Sequence, residues 1–412
     1  MLQAGCGMLG RLLAADPGYR GPRVPCGQGH EAGFVSYRDK VIDTVLGAVT
    51  LTRAWYHCAA CQHGLAPRDA ELGVADASLS PGLRAMNDQA AAAGPFAKAT
   101  RLLENLAGVR LTVKRVERAA EASGTAAAKA IRDRSGLITG RKLVPLPPSP
   151  VPDKLYAAID GTGVPVTAKE SAGRDGKAED GRARTREVKL AIFFTQDTLD
   201  DKGYPVRDLG SSSYIATFEP AHAFAGLVEA EGIRRGARHV RQLTILGDGA
   251  AWIWGIASSK FPEATQIVDL FHAREHLHDL ARLLEFMLGD RKDDWLAARL
   301  EDLDYGDIHG ICAAARAYPF TGVKKDELDT ALGYFETNAP RMRYKWFRSR
   351  GLFVGSGAVE AGCKSVIGQR LKLSGMHWTI AGASAIVTLR CQQASRPEDQ
   401  IWNAPHNQTR TA

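Results

Sequence analysis

Leu155-Tyr156-Ala157-Ala158-Ile159-Asp160-Gly161 is the stretch on which the fold turns. Five apolar residues in a row, with no alternation, read as a strand buried on both faces. The run stops at an acid followed by glycine. Asp is disfavoured inside strands, so Asp160 belongs at the sheet's edge, with room beside it for a ligand. Gln242-Leu243-Thr244-Ile245-Leu246-Gly247-Asp248-Gly249 repeats the pattern. If the two strands are neighbours, Asp160 and Asp248 meet. A third acid, Glu360, comes after the small-residue turn Gly355-Ser356-Gly357-Ala358-Val359 and falls in the first turns of a helix. Three converging carboxylates suit two Mg²⁺ (or Mn²⁺) ions, which take oxygen ligands and retain several waters. Such a pair clamps the attacking and leaving oxygens of a phosphoryl transfer.

The elements around these acids predict an α/β chain. Val188–Phe194 reads as the strand after the first, with a Gly-rich, charged hairpin loop over 168–187 between them. Phe224–Gly236 reads as a helix, Gln266–Leu270 as a short strand, 273–345 as a helical stretch, and the chain from about Ala358 as helical again. Two other motifs compete for attention. Gly357–Ser365 nearly matches a phosphate-binding loop, but has one residue too many before Lys364 and no apolar strand feeding it. His272-Ala273-Arg274-Glu275-His276 matches the HxxEH of inverted zinc proteases, with no third ligand evident.

Upstream, Arg141–Pro152 carries five prolines in its last eight residues and reads as a semi-rigid spacer over 143–153. Before it, Phe34–Tyr37, Val41–Leu46 and Thr50–Tyr56 read as short strands with a turn at Gly47. Cys58-Ala59-Ala60-Cys61 and Cys26-Gly27-Gln28-Gly29-His30 flank them as two knuckles. Cys26, His30, Cys58 and Cys61 would make a Cys₃His structural zinc site of the ribbon kind. His57 and His63 compete for the fourth place. Residues 80–134 are Ala-rich and helical; Gly108 breaks the pattern and Thr112 caps the next helix. That short basic helix, Val113–Ala120, with Lys114, Arg115 and Arg118, gives the outline of a helix-turn-helix.

The 412 residues carry a net charge of +7, and all of it lies in residues 1–142, where 19 Lys and Arg face 12 Asp and Glu. Such asymmetry points to a polyanion partner for that part. No stretch is long and apolar enough for a membrane span, no secretory signal is evident, and seven Cys suit a reducing cytosol. Cys6, Cys312, Cys363 and Cys391 read as core thiols.

Taken together, Ala158–Pro165, Thr185–Leu190, Gly247–Ile253, Asp269-Leu270-Phe271-His272-Ala273, Gly355–Glu360 and Ser374-Gly375-Met376-His377-Trp378 resemble a DDE transposase of a bacterial insertion sequence, most similar to the ISKra type. Thr50–Cys58 resembles that family's amino-terminal ribbon, and the likeness covers about residues 20–395. The resemblance implies an RNase H-like catalytic core. The first acid lies on its first strand, the second after its fourth and the third on a later helix. It therefore implies Asp160, Asp248 and Glu360 as catalytic metal ligands, with Asp269 and His272 as a supporting Asp-x-x-His signature. Arg370, Lys372 and Trp378 would contact DNA, although a core Trp beside a snorkelling Arg is an equal reading. The implied partners are double-stranded DNA, as transposon ends and target, and further copies of the chain; the implied location is the bacterial cytoplasm, at the nucleoid. The expected layout is a zinc-ribbon-like region over 1–79, a helical DNA-binding region over 80–142 and the linker over 143–153. The core comes next over 154–272, then a helical insertion over 273–345, the core's closing helices over 346–396 and a polar tail over 397–412. The chain starts close to the ribbon, so a preceding helix is not expected. The rival reading is an inactive or domesticated transposase that still binds DNA.

Overall fold

A computed structural model describes residues 2–176 and 178–395; the polar tail expected over 397–412 lies outside them. The described residues form two compact units, one up to Ser123 and one from Gly124 onward.

The first unit opens with helix α1 (Leu2–Ala14), which the sequence pattern does not predict. No residue of it is buried outright, but Leu13 packs on Ile42, Leu51 and Val74. It owes its place to a sheet it rests on, which local pattern does not reveal. Strands β1 (Arg23–Pro25), β2 (Glu31–Thr44), β3 (Gly47–Cys58) and β4 (His63–Leu65) pair antiparallel in chain order. The two strands expected over 34–37 and 41–46 are one: β2 runs through with a single irregularity between Phe34 and Ser36. The turn back falls where expected, at Gly47, whose φ of +126° only glycine adopts readily.

Helix α2 (Pro67–Glu71) supplies Asp69, which is 4% exposed. Its carboxylate takes Arg53 Nε from β3 at 2.7 Å and Lys40 Nζ from β2 at 3.2 Å. A buried acid held by two cations from two strands ties helix to sheet. Helices α3 (Pro81–Ala93) and α4 (Phe96–Ala107) come next. Helix α4 ends at left-handed Gly108, and Thr112 Oγ1 accepts from Arg115 N at 3.3 Å at the start of α5 (Val113–Thr139). The expected short helix therefore runs 27 residues. Its Ala-rich middle sustains it, and Ser123-Gly124 does not end it because Gly124 is packed: a Cβ there would lie 2.2 Å from the Ala385 carbonyl oxygen.

Residues 143–153 form neither helix nor strand. The second unit is then built on β5 (Lys154–Pro165), α6 (Ala168–Ser171), β6 (Thr185–Gln196), β7 (Thr198–Leu199), β8 (Pro205–Val206), β9 (Ser213–Thr217), α7 (Ala221–Arg234), β10 (Gln242–Gly247), α8 (Ala251–Lys260) and β11 (Thr265–Val268). The five-stranded sheet has the order β11-β10-β5-β6-β9. Strands β11, β10 and β5 are parallel, and β6 and β9 continue antiparallel. The fold is thus mixed α/β on a mixed sheet. Leu155–Ile159 are buried to 1% or less, as expected of a strand covered on both faces.

Helices α9 (Leu270–Leu283), α10 (Glu285–Leu288), α11 (Lys292–Tyr305), α12 (Ile308–Arg316), α13 (Val323–Asn338) and α14 (Tyr344–Ser349) fill the long stretch after β11. Helix α15 (Gly357–Gly362) runs without a break into a π-helical turn, Cys363–Gly368, and then into α16 (Gln369–Leu371). Helix α17 (Ile380–Ala394) closes the described chain. No helix among the described residues is long and apolar enough to cross a membrane.

One stability prediction belongs to the first unit. Burial pushes Asp88 in α3 up to about 6, against the pull of Ser123, Asn87 and Arg84. A carboxyl whose folded value exceeds its unfolded one of 3.8 holds its proton more tightly when folded. Stability is therefore lost as pH rises from about 4 through 6. Asp88→Asn is expected to stabilise the protein by roughly 1–2 kcal/mol at pH 7 and by little at pH 4. Thermal melts of both proteins at the two pH values check this.

Candidate metal centres

In the first unit, Cys26, His30, Cys58 and Cys61 bring one ligand atom each to within 4.8 Å of one another. The first knuckle turns on Gly27 and Gly29, both at left-handed φ, and closes with Cys26 N donating to His30 O at 2.9 Å. Cys58 ends β3 on its buried side, whereas His57, one residue earlier, faces out by strand alternation. His63 pairs across from Cys58 and stands outside the group. His30 is thus the fourth ligand that the geometry gathers.

Cys26 Sγ and Cys61 Sγ are 3.6 Å apart. Two sulfurs about 2.3 Å from a tetrahedral zinc lie roughly 3.8 Å apart, so the spacing fits. The electrostatics ask for a cation as well. Backbone N–H groups of Gln28 and His30 draw Cys26 down to about 7, while Cys58 and burial drive Cys61 up to about 12. Three thiols at one point cannot all ionise without a positive charge between them. The set can hold a metal ion and is consistent with structural zinc. Cys26 and Cys58 also belong to the core built on Val24, Ala32, Ala54 and Tyr56.

In the second unit, Asp248 comes just past β10 as expected, but Asp160 does not end its strand: it lies in the middle of β5, which stays paired with β6 as far as Pro165. Leu246 registers with Ala158, so the two acids come at matching steps on adjacent parallel strands. Burial raises the Asp160 carboxyl above its usual range; the Cys363 thiol, 3.4 Å from Oδ2, and the Gly161 N–H pull it back, and the charge of Asp248 adds to the rise. The Asp248 turn is pinned twice. Its Oδ1 accepts from Ala250 N at 2.9 Å, and its carbonyl accepts from Tyr334 of α13 at 3.0 Å. Gly249, at φ +106°, leaves room for the Tyr334 ring, which a Cβ would approach to 2.5 Å.

Asp160 and Glu360 line one cleft of about 380 Å³ with Thr162, Phe271, His272, Glu275, Cys363, Lys364 and Lys372. Asp248 is not among the lining residues. Lys364 and Lys372 are exposed at the rim, and Lys372 Nζ also donates to Thr162 Oγ1.

Asp269 is fully buried and caps α9. Its Oδ1 accepts from Phe271 N at 2.6 Å and His272 N at 3.0 Å, and its Oδ2 accepts from Ser356 N, four residues before Glu360. Burial alone would raise this carboxyl, but the donors of His272 and Ser356 outweigh it and hold it below the usual range. Ligand atoms of Asp269, His272 and Glu360 all lie within 4.8 Å of one another. Because its oxygens are taken by three N–H groups, Asp269 acts as the bracket of this group and Glu360 as its available carboxylate. His272 Nδ1 stands 3.6 Å from Asp269 Oδ1, and that carboxylate raises the imidazole to about 9. His276 does not join: its ring stacks on Tyr334 at 3.7 Å.

The expected DNA-contacting residues divide. Lys114 and Arg118 are exposed on α5, with Lys114 paired to Glu117 at 2.9 Å, and Arg115 is ion-paired to Asp43 and bonded to Ser78. Lys372 is exposed. Arg370 and Trp378 are a correction. Arg370 is 0% exposed, with its guanidinium 4.9 Å from the Trp378 ring centre. Trp378 is 7% exposed and donates its indole N–H to Leu371 O. Packed on each other, neither presents a face to a DNA strand. The sequence did not assign Thr162, Glu275, Cys363 or Lys364 to this cleft, nor Tyr334 to the back of Asp248; Cys363, expected as a core thiol, is only partly buried and bonds to Asp160. Only the spacing of Glu275 from His272 and of Lys364 from Glu360 on their helices could have suggested them.

The described chain is a mixed α/β protein with one sulfur-rich and one carboxylate-containing group that could hold a metal ion. No protein-family model matches the chain, and no curated protein matches it.

Two outcomes test these centres. Asp269→Ala strands three backbone donors in the interior and is expected to cost about 3–5 kcal/mol of unfolding free energy, read by denaturant titration. The purified wild-type chain is expected to carry one zinc per chain by elemental analysis. Cys58→Ser should lose it and His63→Ala should keep it; a wild-type chain without metal would remove the zinc assignment.

Proposed function

We propose that this chain is a DDE-type transposase of a bacterial insertion sequence, similar to the ISKra type, which binds its element's ends and catalyses metal-dependent DNA cleavage and strand transfer. The observation that carries the reading is the placement of the three acids. In the main sheet Asp160 lies on the first strand and Asp248 comes directly after the fourth, next to it. Glu360 comes from a later helix and lines the same cleft as Asp160. That order supports a reading of the second unit as RNase H-like, in which α9–α14 would be the helical insertion.

Asp160, Asp248 and Glu360 would hold two Mg²⁺ (or Mn²⁺) ions, which supply a water of lowered pKa and neutralise charge on the phosphate. The chain's own residues do the rest. Lys364 and Lys372 draw the DNA backbone to the rim. His272, kept cationic by Asp269, holds a phosphate oxygen. The Asp269 bracket fixes the distance between His272 and Glu360. Tyr334 keeps the Asp248 turn from swinging out. Cys26, His30, Cys58 and Cys61 would hold zinc and stiffen the amino-terminal sheet, and the exposed Lys114 and Arg118 on α5 offer a basic face to the terminal repeats. Because two ends must be joined, the working form is a multimer on DNA in the bacterial cytoplasm.

The test is cleavage of a duplex carrying the flanking end of the encoding element. Wild type with Mg²⁺ is expected to nick it. Asp160→Ala, Asp248→Ala and Glu360→Ala should each lower the rate at least about 1,000-fold and leave end binding within about two-fold. Cleavage that survives Asp160→Ala would sink the site. Binding without cleavage by the wild type would favour a domesticated DNA-binding protein.

A further inference from the structure

A second cavity of about 590 Å³ adjoins the carboxylate cleft, with Phe271 as the shared wall. Its floor is apolar: Leu270, Leu352, Phe353 and Val354. Two aromatic rings stand unusually free at its mouth, Phe271 at 57% and Tyr204 at 59% exposure. Neither ring is a stray surface group. Phe271 is fixed by the Asp269 cap on its own N–H. Tyr204 sits on the β7–β8 hairpin, whose turn is locked by Asp200 Oδ1 accepting from Lys202 N at 2.9 Å and Tyr204 N at 2.8 Å. The hairpin is tied down in turn, with Leu199 against Gly351 and Gln196 Nε2 donating to Gly351 O at 3.1 Å.

The polar lining is all cationic in its side chains: Lys202, Arg274 and Arg348, with no carboxylate among the lining residues. Arg274 is aimed by a two-pronged bond to Asp304, at 2.9 Å to each oxygen, while Arg348 touches the same acid only at 3.5 Å. Asp304 stands behind the two arginines and Asp200 in the hairpin turn, but the charged side chains that line the apolar, aromatic slot are cations.

We propose that this cavity binds a single unstacked nucleotide of DNA, with its base between Phe271 and Tyr204 and its phosphate on Arg348 and Lys202. An apolar slot with a few convergent polar groups is the usual form of a small-molecule site, and rings over a cationic rim are the means by which chains hold unpaired bases. A base drawn there would share the Phe271 wall with the carboxylate cleft, which leaves its neighbouring phosphodiester on the side of the acids. The inference rests on the DNA-cleaving reading for its purpose, and on the cavity alone for the binding.

The test uses the full chain and a short single-stranded oligonucleotide carrying one 2-aminopurine, without added Mg²⁺. Stacking on the rings is expected to change the probe's fluorescence on binding. Tyr204→Ala and Phe271→Ala should each weaken binding roughly ten-fold, and Tyr204→Phe should restore it. Arg348→Ala should weaken it and lower its salt dependence. Thermal melts separate lost contacts from lost fold, and Tyr204→Ala, on a surface hairpin, is the variant least exposed to that confusion. Absence of binding by the wild type, or binding unchanged in both folded alanine variants, overturns the proposal. Capture of the oligonucleotide with no duplex cleavage leaves the pocket standing and removes the transposase reading. Duplex cleavage with no capture does the reverse.

Discussion

The second unit depends on what one buried carboxylate does. Asp269 accepts three backbone N–H groups, two from the first turn of α9 and one from Ser356, and its own N–H donates to Gly247 O at 2.8 Å. Leu270 N adds a bond to Val354 O at 2.9 Å. A residue with no exposed surface therefore joins the end of β10, the start of α9 and the approach to α15. Those are the places that carry Asp248, His272 and Glu360. A charge in the interior is costly unless it is fully hydrogen-bonded, and this one takes three main-chain N–H groups, with the His272 imidazole 3.6 Å away as its ion-pair partner. Side chains can exchange partners, whereas main-chain donors cannot. The junction is accordingly stiff where the acids need to be held.

The two candidate centres differ in the hardness of their donor atoms. The first unit offers three sulfurs and an imidazole, which suit zinc and close its coordination. The second offers carboxylate oxygens beside an open, lysine-rimmed cleft, which suits cations that keep waters. The first belongs with the apolar core, sharing Cys26 and Cys58 with it. The second stands at the end of a sheet where ligands have access.

Much of this was legible in the sequence where a local pattern had one physical explanation. An uninterrupted apolar run ended by Asp-Gly reads as a covered strand with an acid at its tip; Asp248 is such a tip, whereas β5 runs on past Asp160 to Pro165 because β6 keeps pairing with it. Gly108 and Thr112 punctuate α4 and α5 because a left-handed stop and a hydroxyl cap are local devices. The parts that were not legible depend on packing at a distance. Strand β9, Ser213–Thr217, is five residues long and only half-buried along its length, so it lacks the run that marks β5. Helix α1 is held by a sheet that the chain has yet to make. Arg370 looks like a surface cation by composition and is buried only because Trp378, eight residues on, folds over it. The slot between Tyr204 and Phe271 brings together rings 67 residues apart in the chain, which no window of sequence contains.

The π-helical turn after Glu360 has a geometric consequence. Glu360, Lys364, Gly368 and Lys372 recur every fourth residue, and all four line one cleft. In a plain α-helix, at about 100° per residue, each step of four overshoots a full circle by about 40°, and over three steps the row would wander roughly a third of the way round. A π turn takes more residues per revolution and undershoots instead. Placed in mid-row, over Cys363–Gly368, it cancels the drift as a vernier corrects a scale. Removing a single residue from Cys363–Gly368 would restore a regular helix and rotate Lys372 out of line with Glu360, with no functional side chain altered.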